Sequence, residues 1–396
     1  MSKIRRKFLG RAFPLLSNYA ISLAGDSIYL FAINWFLVSQ TQTTSLLGLI
    51  NGVSSFVLLV ANFFAGPIVD RYNRKKLLIF SDLLSFFACL ICSITLNDYV
   101  NDRIILIMTT SILSISMAIN SPSAKAIVPN VISSEKIEKF NSIQNTLSSV
   151  IKIVAPLLGA FILSLYSSLN LFIFINSISF LLSALLILTV PYNEVKKENN
   201  VLAFTDQFFS GLKYINQKKR ILGILVFISV LNFIMTSYDL VIPYLINVLL
   251  DKSEKVYSFL VSLEAIGGII GGVLLTYKSS KVSKISFISD IKYLSLILLI
   301  VGIIHNLYLL CFCSLVNGFF LVQINAKVFT IIQKETKKNY LGRVFSILFI
   351  FSSLLIPPAN FIFGRIVPFL KWNTFIFCSV GLFITSYIII KNFIKE

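Results

Sequence analysis

Long apolar runs separated by short polar segments make up most of the chain. A membrane-spanning helix needs about 20 mostly apolar residues. Twelve segments meet this requirement: 13–39, 45–65, 77–96, 104–124, 140–164, 169–190, 221–249, 256–276, 287–304, 307–332, 341–369 and 374–391. The pattern therefore predicts an all-α membrane protein with twelve transmembrane helices. An even number of spans joined by short loops also places both termini on one side of the membrane.

The composition supports this class and orients the chain. Only 13% of the 396 residues are charged and 56% are hydrophobic, whereas soluble domains carry about 25% charged residues. With a cytoplasmic N-terminus, most of the 35 lysines and arginines lie in inner loops, and Arg103, Lys252, Lys255 and Lys371 lie outside. The positive-inside rule then predicts a multi-pass protein of the cell membrane with both termini cytoplasmic. It also explains the net charge of +18 without a nucleic-acid partner, and the Lys-, Asn- and Ile-rich composition is typical of a bacterial source.

One long polar interval divides the spans into six and six. It predicts an N-terminal bundle at 1–190, a cytoplasmic linker at 191–220 and a C-terminal bundle at 221–396. A mildly amphipathic piece, 204–215, is expected to lie along the cytoplasmic interface. Ala124-Lys125 recurs as Ala326-Lys327. Two halves with weak internal similarity are typical of transporters built from repeats.

The densest group of charges follows span 2, from Gly66 to Lys76. Its Gly66-Pro67 pair is expected to break the helix and open a hairpin loop. The spacing Gly66-x-x-x-Asp70-Arg71-x-x-Arg74-Lys75 resembles the loop 2–3 signature of the major facilitator superfamily. The stretches around Asp26, at 121–129 and at 342–346 resemble the macrolide-efflux-type branch of its drug:proton antiporters.

The resemblance implies two pseudo-symmetric six-helix bundles around a cavity lined by spans 1, 4, 7 and 10. It implies export of a drug-like or antibiotic-like small molecule in exchange for protons, with no cofactor. It also implies that Asp70 sits against Arg343 at the start of span 11, with Gly66, Arg71 and Arg74 completing a conformational latch whose cations contact anionic lipids. Topology alone is the alternative role of this loop. Pro156 and Gly159 in span 5 partly match an antiporter motif of exporters in this superfamily.

Ionisable groups at membrane depth are rare and usually functional. The candidates for proton coupling or substrate binding are Asp26, Lys152, Asp239, Glu264 and Arg365. Buried carboxyl groups can load and release protons, and Lys152 and Arg365 are expected to neutralise Asp26 and Asp239. Structural ion pairs that no substrate touches are the alternative.

Polar residues at helical spacing mark the faces that avoid lipid, because unpaired polar groups are costly in hydrocarbon. Three stripes are predicted to line the cavity: Asn18, Ser22, Asp26 and Tyr29; Asn141, Asn145, Ser149 and Lys152; and Ser229, Asn232, Thr236 and Asp239.

The leading hypothesis is a monomeric secondary exporter that handles a small molecule and protons within membrane lipids. Two alternatives stay open: export of an endogenous siderophore, peptide or lipid, and a non-transporting immunity or sensor protein with this fold. The sequence carries neither a phosphate-binding Gly-Lys-Ser/Thr loop nor a metal-spaced cluster, so no enzyme and no cofactor is predicted.

Overall fold

A computed structural model describes residues 3–98, 101–192, 204–277, 284–337 and 340–389. Some side chains near the ends of these ranges and that of Asp70 are outside the description. These ranges contain fourteen α-helices and no strand. The helices are α1 (Lys3–Thr41), α2 (Ser45–Arg71), α3 (Arg74–Thr95), α4 (Arg103–Val131), α5 (Ser134–Leu165), α6 (Leu169–Leu188), α7 (Phe204–Asn216), α8 (Lys219–Tyr244), α9 (Glu254–Tyr277), α10 (Lys284–Ile304), α11 (Leu307–Glu335), α12 (Leu341–Leu354), α13 (Ile356–Leu370) and α14 (Asn373–Ile389).

The predicted helical membrane fold is confirmed. Within the described ranges, eleven helical segments are long and apolar enough to cross a membrane, and Asn373–Tyr387 is a shorter apolar helix. Span 11 is not one continuous helix, because α12 ends at Leu354 and α13 begins at Ile356. The Pro357-Pro358 pair lacks two backbone donors and explains this break.

The expectation that Gly66-Pro67 breaks the helix was wrong. Helix α2 continues through Pro67 to Arg71, and only Tyr72 and Asn73 separate it from α3. Asn73 caps α3, since its side chain accepts a hydrogen bond from the backbone N–H of Lys76 at 3.0 Å. A Cβ built on Gly66 would meet no heavy atom within 4 Å, so local space does not require glycine there.

The chain divides into two compact units. The first contains residues 1–40 and 53–199, and the second contains 41–52 and 200–396. The beginning of α2 belongs to the second unit, where a Cβ on Gly48 would lie 2.5 Å from the Cα of Gly364 in α13. The predicted linker ends with α7, and residues 193–203 lie outside the described ranges. The predicted bundle boundaries stay predictions.

The first unit buries an apolar core at one end of its helices. The core joins α1, α3, α4, α5 and α6 through Ala12, Leu15, Leu78, Ile127, Val128, Val131, Ile132, Phe140, Ile187 and Val190. Two cations in the first turn of α3 secure the same end. Arg74 donates to the carbonyl of Ala126 and to Asn130, both at 2.8 Å, and Lys75 donates to the carbonyls of Leu188 and Val190. Cations at helix C-termini satisfy carbonyls that have no helical partner.

The second unit is built around α8, most of whose residues are buried, as expected for a central helix. Phe227 of α8 packs edge-on against Phe287 of α10, and Tyr238 packs edge-on against Phe375 of α14. Helix α7 packs on α12, because a Cβ on Gly211 would lie 2.8 Å from Ile347.

Candidate functional site

Asp26 in α1 is half-buried and is bound by a neutral side chain. Its Oδ1 accepts a hydrogen bond from the Asn176 Nδ2 of α6 at 3.2 Å. Ser179, one turn further along α6, donates to the carbonyl of Asn176 at 2.8 Å and to its Oδ1 at 3.1 Å. This second contact turns the Asn176 amide donor toward Asp26. Gly25 permits the close approach of α1 to α6, since a Cβ there would lie 2.1 Å from Ser179 Oγ.

Lys152 does not neutralise Asp26 in this structure. Its side chain is exposed, and the part of the chain that the structure describes contains no ion pair between these two residues. Asn145, which belongs to the same predicted stripe as Lys152, is also exposed. Pro156 and Gly159 are buried, and a Cβ on Gly159 would lie 2.7 Å from the ring of Phe31 in α1. The antiporter-like motif therefore packs on the helix that carries Asp26.

A second carboxyl group of this unit, Asp82 in α3, is only 1% exposed. Its Oδ1 accepts from Asn120 of α4 at 2.8 Å, and its Oδ2 accepts from Ser183 of α6 at 2.9 Å and from Asn18 of α1 at 3.2 Å. Asn18 also donates to the hydroxyl of Ser183. Four helices thus meet at one buried carboxyl group.

Asp82 is missing from the candidates that the sequence pattern indicates. The signal for it is present, because Asp82 is an acidic residue inside a predicted span and meets the same rule that selects Asp26. Asp82 lies eight positions after Arg74, the first residue of α3, and is therefore roughly 12 Å from the start of that helix. Its partners Asn120 and Ser183 could not be paired with it from spacing, since they lie on other helices.

The rest of the predicted α1 stripe faces protein as expected for polar groups. Asn18 is buried against Asp82, and Ser22 is half-buried. Tyr29 is 3% exposed, and its hydroxyl makes no hydrogen bond among the residues described. The assignment of these residues to a cavity wall stays a prediction.

In the second unit, Glu264 of α9 is bound by a neutral side chain, as Asp26 is. Its Oε1 accepts from Asn317 of α11 at 3.1 Å. The two helices touch backbone to backbone, since a Cβ on Gly318 would lie 1.9 Å from the carbonyl oxygen of Glu264. This crossing fixes Glu264 next to Asn317.

Asp239 of α8 is exposed. Arg365 is also exposed, and no ion pair joins it to Asp239 among the residues that the structure describes. The expected neutralisation of Asp239 is therefore not seen.

Two residues of the predicted α8 stripe donate hydrogen bonds to backbone carbonyls beside the break in span 11. Ser229 donates to the carbonyl of Phe351 at 2.6 Å, and Asn232 donates to that of Ser352 at 2.8 Å. These carbonyls lie in the last turn of α12, where helical partners are lost. Thr236 is buried and donates to the carbonyl of Asn232. The bonds of Ser229 and Asn232 give these residues a structural role besides the predicted cavity-lining one.

A buried ion pair joins α10 and α11. Asp290 is 6% exposed and binds the ammonium group of Lys327, which is 5% exposed. Neither residue was selected from the sequence, although both lie inside predicted spans.

The predicted latch residues can be followed only in part. The side chain of Asp70 lies outside the description, and Arg71 is exposed. Arg343 donates to Ser210 Oγ of α7 at 2.9 Å and lies over the ring of Tyr340, 5.2 Å from its centre. Tyr340 in turn stacks on Tyr214 of α7. Arg343 therefore ties α7 to the start of α12.

The chain is similar in sequence to known membrane transporters. A sequence profile of the Major Facilitator Superfamily matches residues 15–359. The chain is 23% identical over 364 residues to the Staphyloferrin A transporter of Staphylococcus aureus (strain NCTC 8325 / PS 47), covering 89% of this chain and 90% of that protein. It is 23% identical over 355 residues to macrolide efflux protein A of Streptococcus pyogenes, covering 87% of this chain and 86% of that protein.

Solved structures share the fold. The nucleoside transporter NupG superposes with a TM-score of 0.75 at 11% identity, covering 96% of this chain and 99% of that chain. A bacterial homologue of the iron transporter ferroportin, in an inward-facing state, superposes with a TM-score of 0.75 at 15% identity, covering 99% of both chains. At these identities the similarity concerns the fold alone.

Proposed function

Because this chain belongs to the Major Facilitator Superfamily and is a membrane transporter rather than an enzyme, we propose that it exports an amphipathic small molecule in exchange for protons. Export by alternating access between two six-helix halves would use the fold described above. The export direction is supported by the similarity to macrolide efflux protein A over 87% of this chain. Within this proposal, both termini are cytoplasmic, and the exposed Arg71 contacts anionic lipid head groups.

The observation that carries the proposal is the pairing of two half-buried acids with neutral amides. Asp26 and Glu264 each accept a hydrogen bond from an asparagine, at 3.2 and 3.1 Å, and neither forms an ion pair within the described residues. An acid that is not paired with a cation can bind a proton or a cationic substrate without first breaking an ion pair. A fixed ion pair would offer neither.

A second candidate is the export of an endogenous iron-chelating metabolite. The similarity to the Staphyloferrin A transporter covers 89% of this chain and favours this alternative within the same transport mechanism. The exposed cations Lys152 and Arg365 are suited to an anionic ligand of this kind.

Transport by purified protein in liposomes tests both candidates. A macrolide and the siderophore staphyloferrin A would each be offered under an imposed pH gradient, with and without a protonophore. Gradient-driven accumulation of the macrolide that the protonophore abolishes supports the first candidate, and accumulation of the siderophore alone supports the second. Movement that ignores the pH gradient contradicts proton exchange.

Asp26→Asn in the same assay tests the role of the acid. We expect it to abolish gradient-driven exchange while the protein still inserts and folds, because the amide keeps the shape but cannot carry the proton. The matched control is Asp102→Asn in the loop before α4. Backbone N–H groups of Asp98 and Asn97 hold the pKa of Asp102 below its usual range, so this residue stays ionised and takes no part in exchange. Wild-type exchange by the Asp26 variant would contradict the assignment.

A further inference from the structure

Asp82 is a buried carboxyl group held only by neutral donors. Asn18, Asn120 and Ser183 surround it, and no lysine, arginine or histidine forms an ion pair with it among the residues that the structure describes. An isolated carboxylate is far more costly to bury than a neutral acid. Hydrogen bonds from neutral groups offset part of that cost, so neither protonation state is fixed by a neighbouring charge.

The charged groups on the helices around Asp82 are few. In α4, in α6 and in residues 12–41 of α1, where the structure describes the side chains, they are Asp26, Arg103 and Lys125. Lys125 is exposed, and Arg103 precedes Asn120 by 17 positions, roughly 25 Å along α4. Asp26 is itself an acid, so it offers Asp82 no compensating positive charge. Neither Arg103 nor Lys125 forms an ion pair with Asp82 among the residues described.

The thiols of Cys89 and Cys92 lie further along α3 itself, beyond the turn that carries Asp82. The hydroxyl of Tyr29 in α1 is a further titratable group. None of the three carries a positive charge that would hold Asp82 ionised.

The partners of Asp82 can serve both of its protonation states. The Ser183 hydroxyl donates to an ionised Asp82, and after rotation it can accept from the O–H of a protonated one. Asn18 keeps a second acceptor during this change, because it also donates to the carbonyl of Ser183 at 3.2 Å. Lys327 beside Asp290 can only donate, so that ion pair allows a single state.

Asp82 and Asp26 also lie along one polar seam. Asn18 binds Asp82 and lies eight positions before Asp26 on the same helix, roughly 12 Å away along α1. Ser183 and Asn176, which contact the two acids from α6, lie seven positions apart on one face of that helix. Residues of α1 and α6 therefore contribute to the surroundings of both acids.

We propose that Asp82 is a second proton-binding site of the first unit, besides Asp26, which loads and unloads its proton during transport. The proposal rests on the proton exchange proposed above. It assigns a functional role to an acid that lies off the predicted cavity-lining stripes. Asn18, Asn120 and Ser183 are its positioning residues.

The test is proton uptake by purified protein in detergent, which needs no transport substrate. Protons bound between mildly alkaline and mildly acidic pH are counted, and infrared difference spectra detect the C=O band of protonated carboxyl groups. We expect Asp82→Asn to bind one proton fewer per chain and to lose one component of that band. Asp102→Asn, as the control, should keep the wild-type band. An unchanged band in the Asp82 variant would overturn the proposal.

A second variant keeps the test decisive if Asp82→Asn fails to fold. Asn120→Lys leaves the carboxyl group in place but adds an ammonium group beside it, as Lys327 does for Asp290. We expect this variant to lose the same band component, whereas Asn120→Gln should retain it. A band that persists in Asn120→Lys would also overturn the proposal. If export by the wild-type protein ignores the pH gradient, the proposed exchange fails on its own, whatever the infrared result.

Discussion

The third span of the chain and the ninth each bury one acid, but the two are held differently. Asp82 in α3 accepts hydrogen bonds from two amides and a hydroxyl, whereas Asp290 in α10 binds the ammonium group of Lys327. In both cases the partner includes a side chain of the next span, Asn120 of α4 or Lys327 of α11. A cation at this contact fixes the charge of the acid, and a neutral amide leaves it free to change. The difference predicts a structural role for Asp290 and a proton-binding role for Asp82.

The largest expected effect comes from breaking the ion pair. Lys327→Met leaves Asp290 buried beside an apolar side chain, and removal of one partner of a buried ion pair costs about 3–5 kcal/mol. Denaturant unfolding in detergent would measure the loss. Asp290→Asn added to Lys327→Met should recover most of it, because no buried charge remains. A loss below about 1 kcal/mol for the single variant would contradict a structural role for the pair.

The second expected effect concerns the helix crossing that fixes Glu264. Gly318→Ala places a methyl group where Glu264 has its carbonyl oxygen, 1.9 Å away. Overpacking of this kind costs about 1–3 kcal/mol, and the displaced α9 should also weaken exchange. Gly272→Ala is the matched control on the same helix pair, because its Cβ would lie 3.8 Å from Val322, at ordinary contact distance. Equal stability of the two variants would contradict the tight crossing.

The fold could be predicted from the sequence because long apolar runs have few alternatives in a membrane. The break in span 11 could also be predicted from Pro357-Pro358. Pro67, in contrast, lies in the last turns of α2 and does not end that helix. A proline near a helix end removes one hydrogen bond but leaves the following turn intact, so its presence alone did not locate the loop.

The candidate site was predictable only as single residues. Asp26 was found from its depth, and Asp82 and Asp290 meet the same rule. The partners could not be derived, because Asn176 lies 150 positions from Asp26 and reaches it only through the packing of α6 on α1. The expected pairs of Asp26 with Lys152 and of Asp239 with Arg365 assumed that opposite charges in one half meet. Lys152 and Arg365 are instead exposed, and the amide of Asn176 contacts Asp26.

The third prediction compares the two acids directly. Asp82→Asn should cost about 1 kcal/mol or less, since polar contacts between membrane helices are individually weak. Asp290→Asn alone should cost several times more, because it leaves the Lys327 ammonium group buried and unpaired. Unfolding of both variants under one condition measures the ratio. Equal losses would mean that Asp82 is held as firmly in its ionised state as Asp290 is.

The smallest expected effect is the loss of stability when one hydroxyl group that donates to Asp82 is removed. Its size depends on whether Asp82 is charged. Ser183→Ala removes a hydrogen bond to Asp82, and Ser295→Ala removes one between α10 and α14, where Ser295 donates to the carbonyl of Ser379 at 2.8 Å. A bond between neutral groups contributes about 0.5–1.5 kcal/mol, and one to a charged group about 1.5–3 kcal/mol.

At acidic pH, where Asp82 holds its proton, the two serine variants should therefore lose similar stability. As the pH rises and Asp82 ionises, the loss for Ser183→Ala should grow, while the loss for Ser295→Ala stays constant because no acid receives its hydrogen bond. Unfolding of both variants across the same pH series measures this divergence. If the ratio of the two stability losses stays constant over the series, Asp82 keeps one charge state throughout. Asp82 and Asp290 would then differ in their binding partners but not in their function.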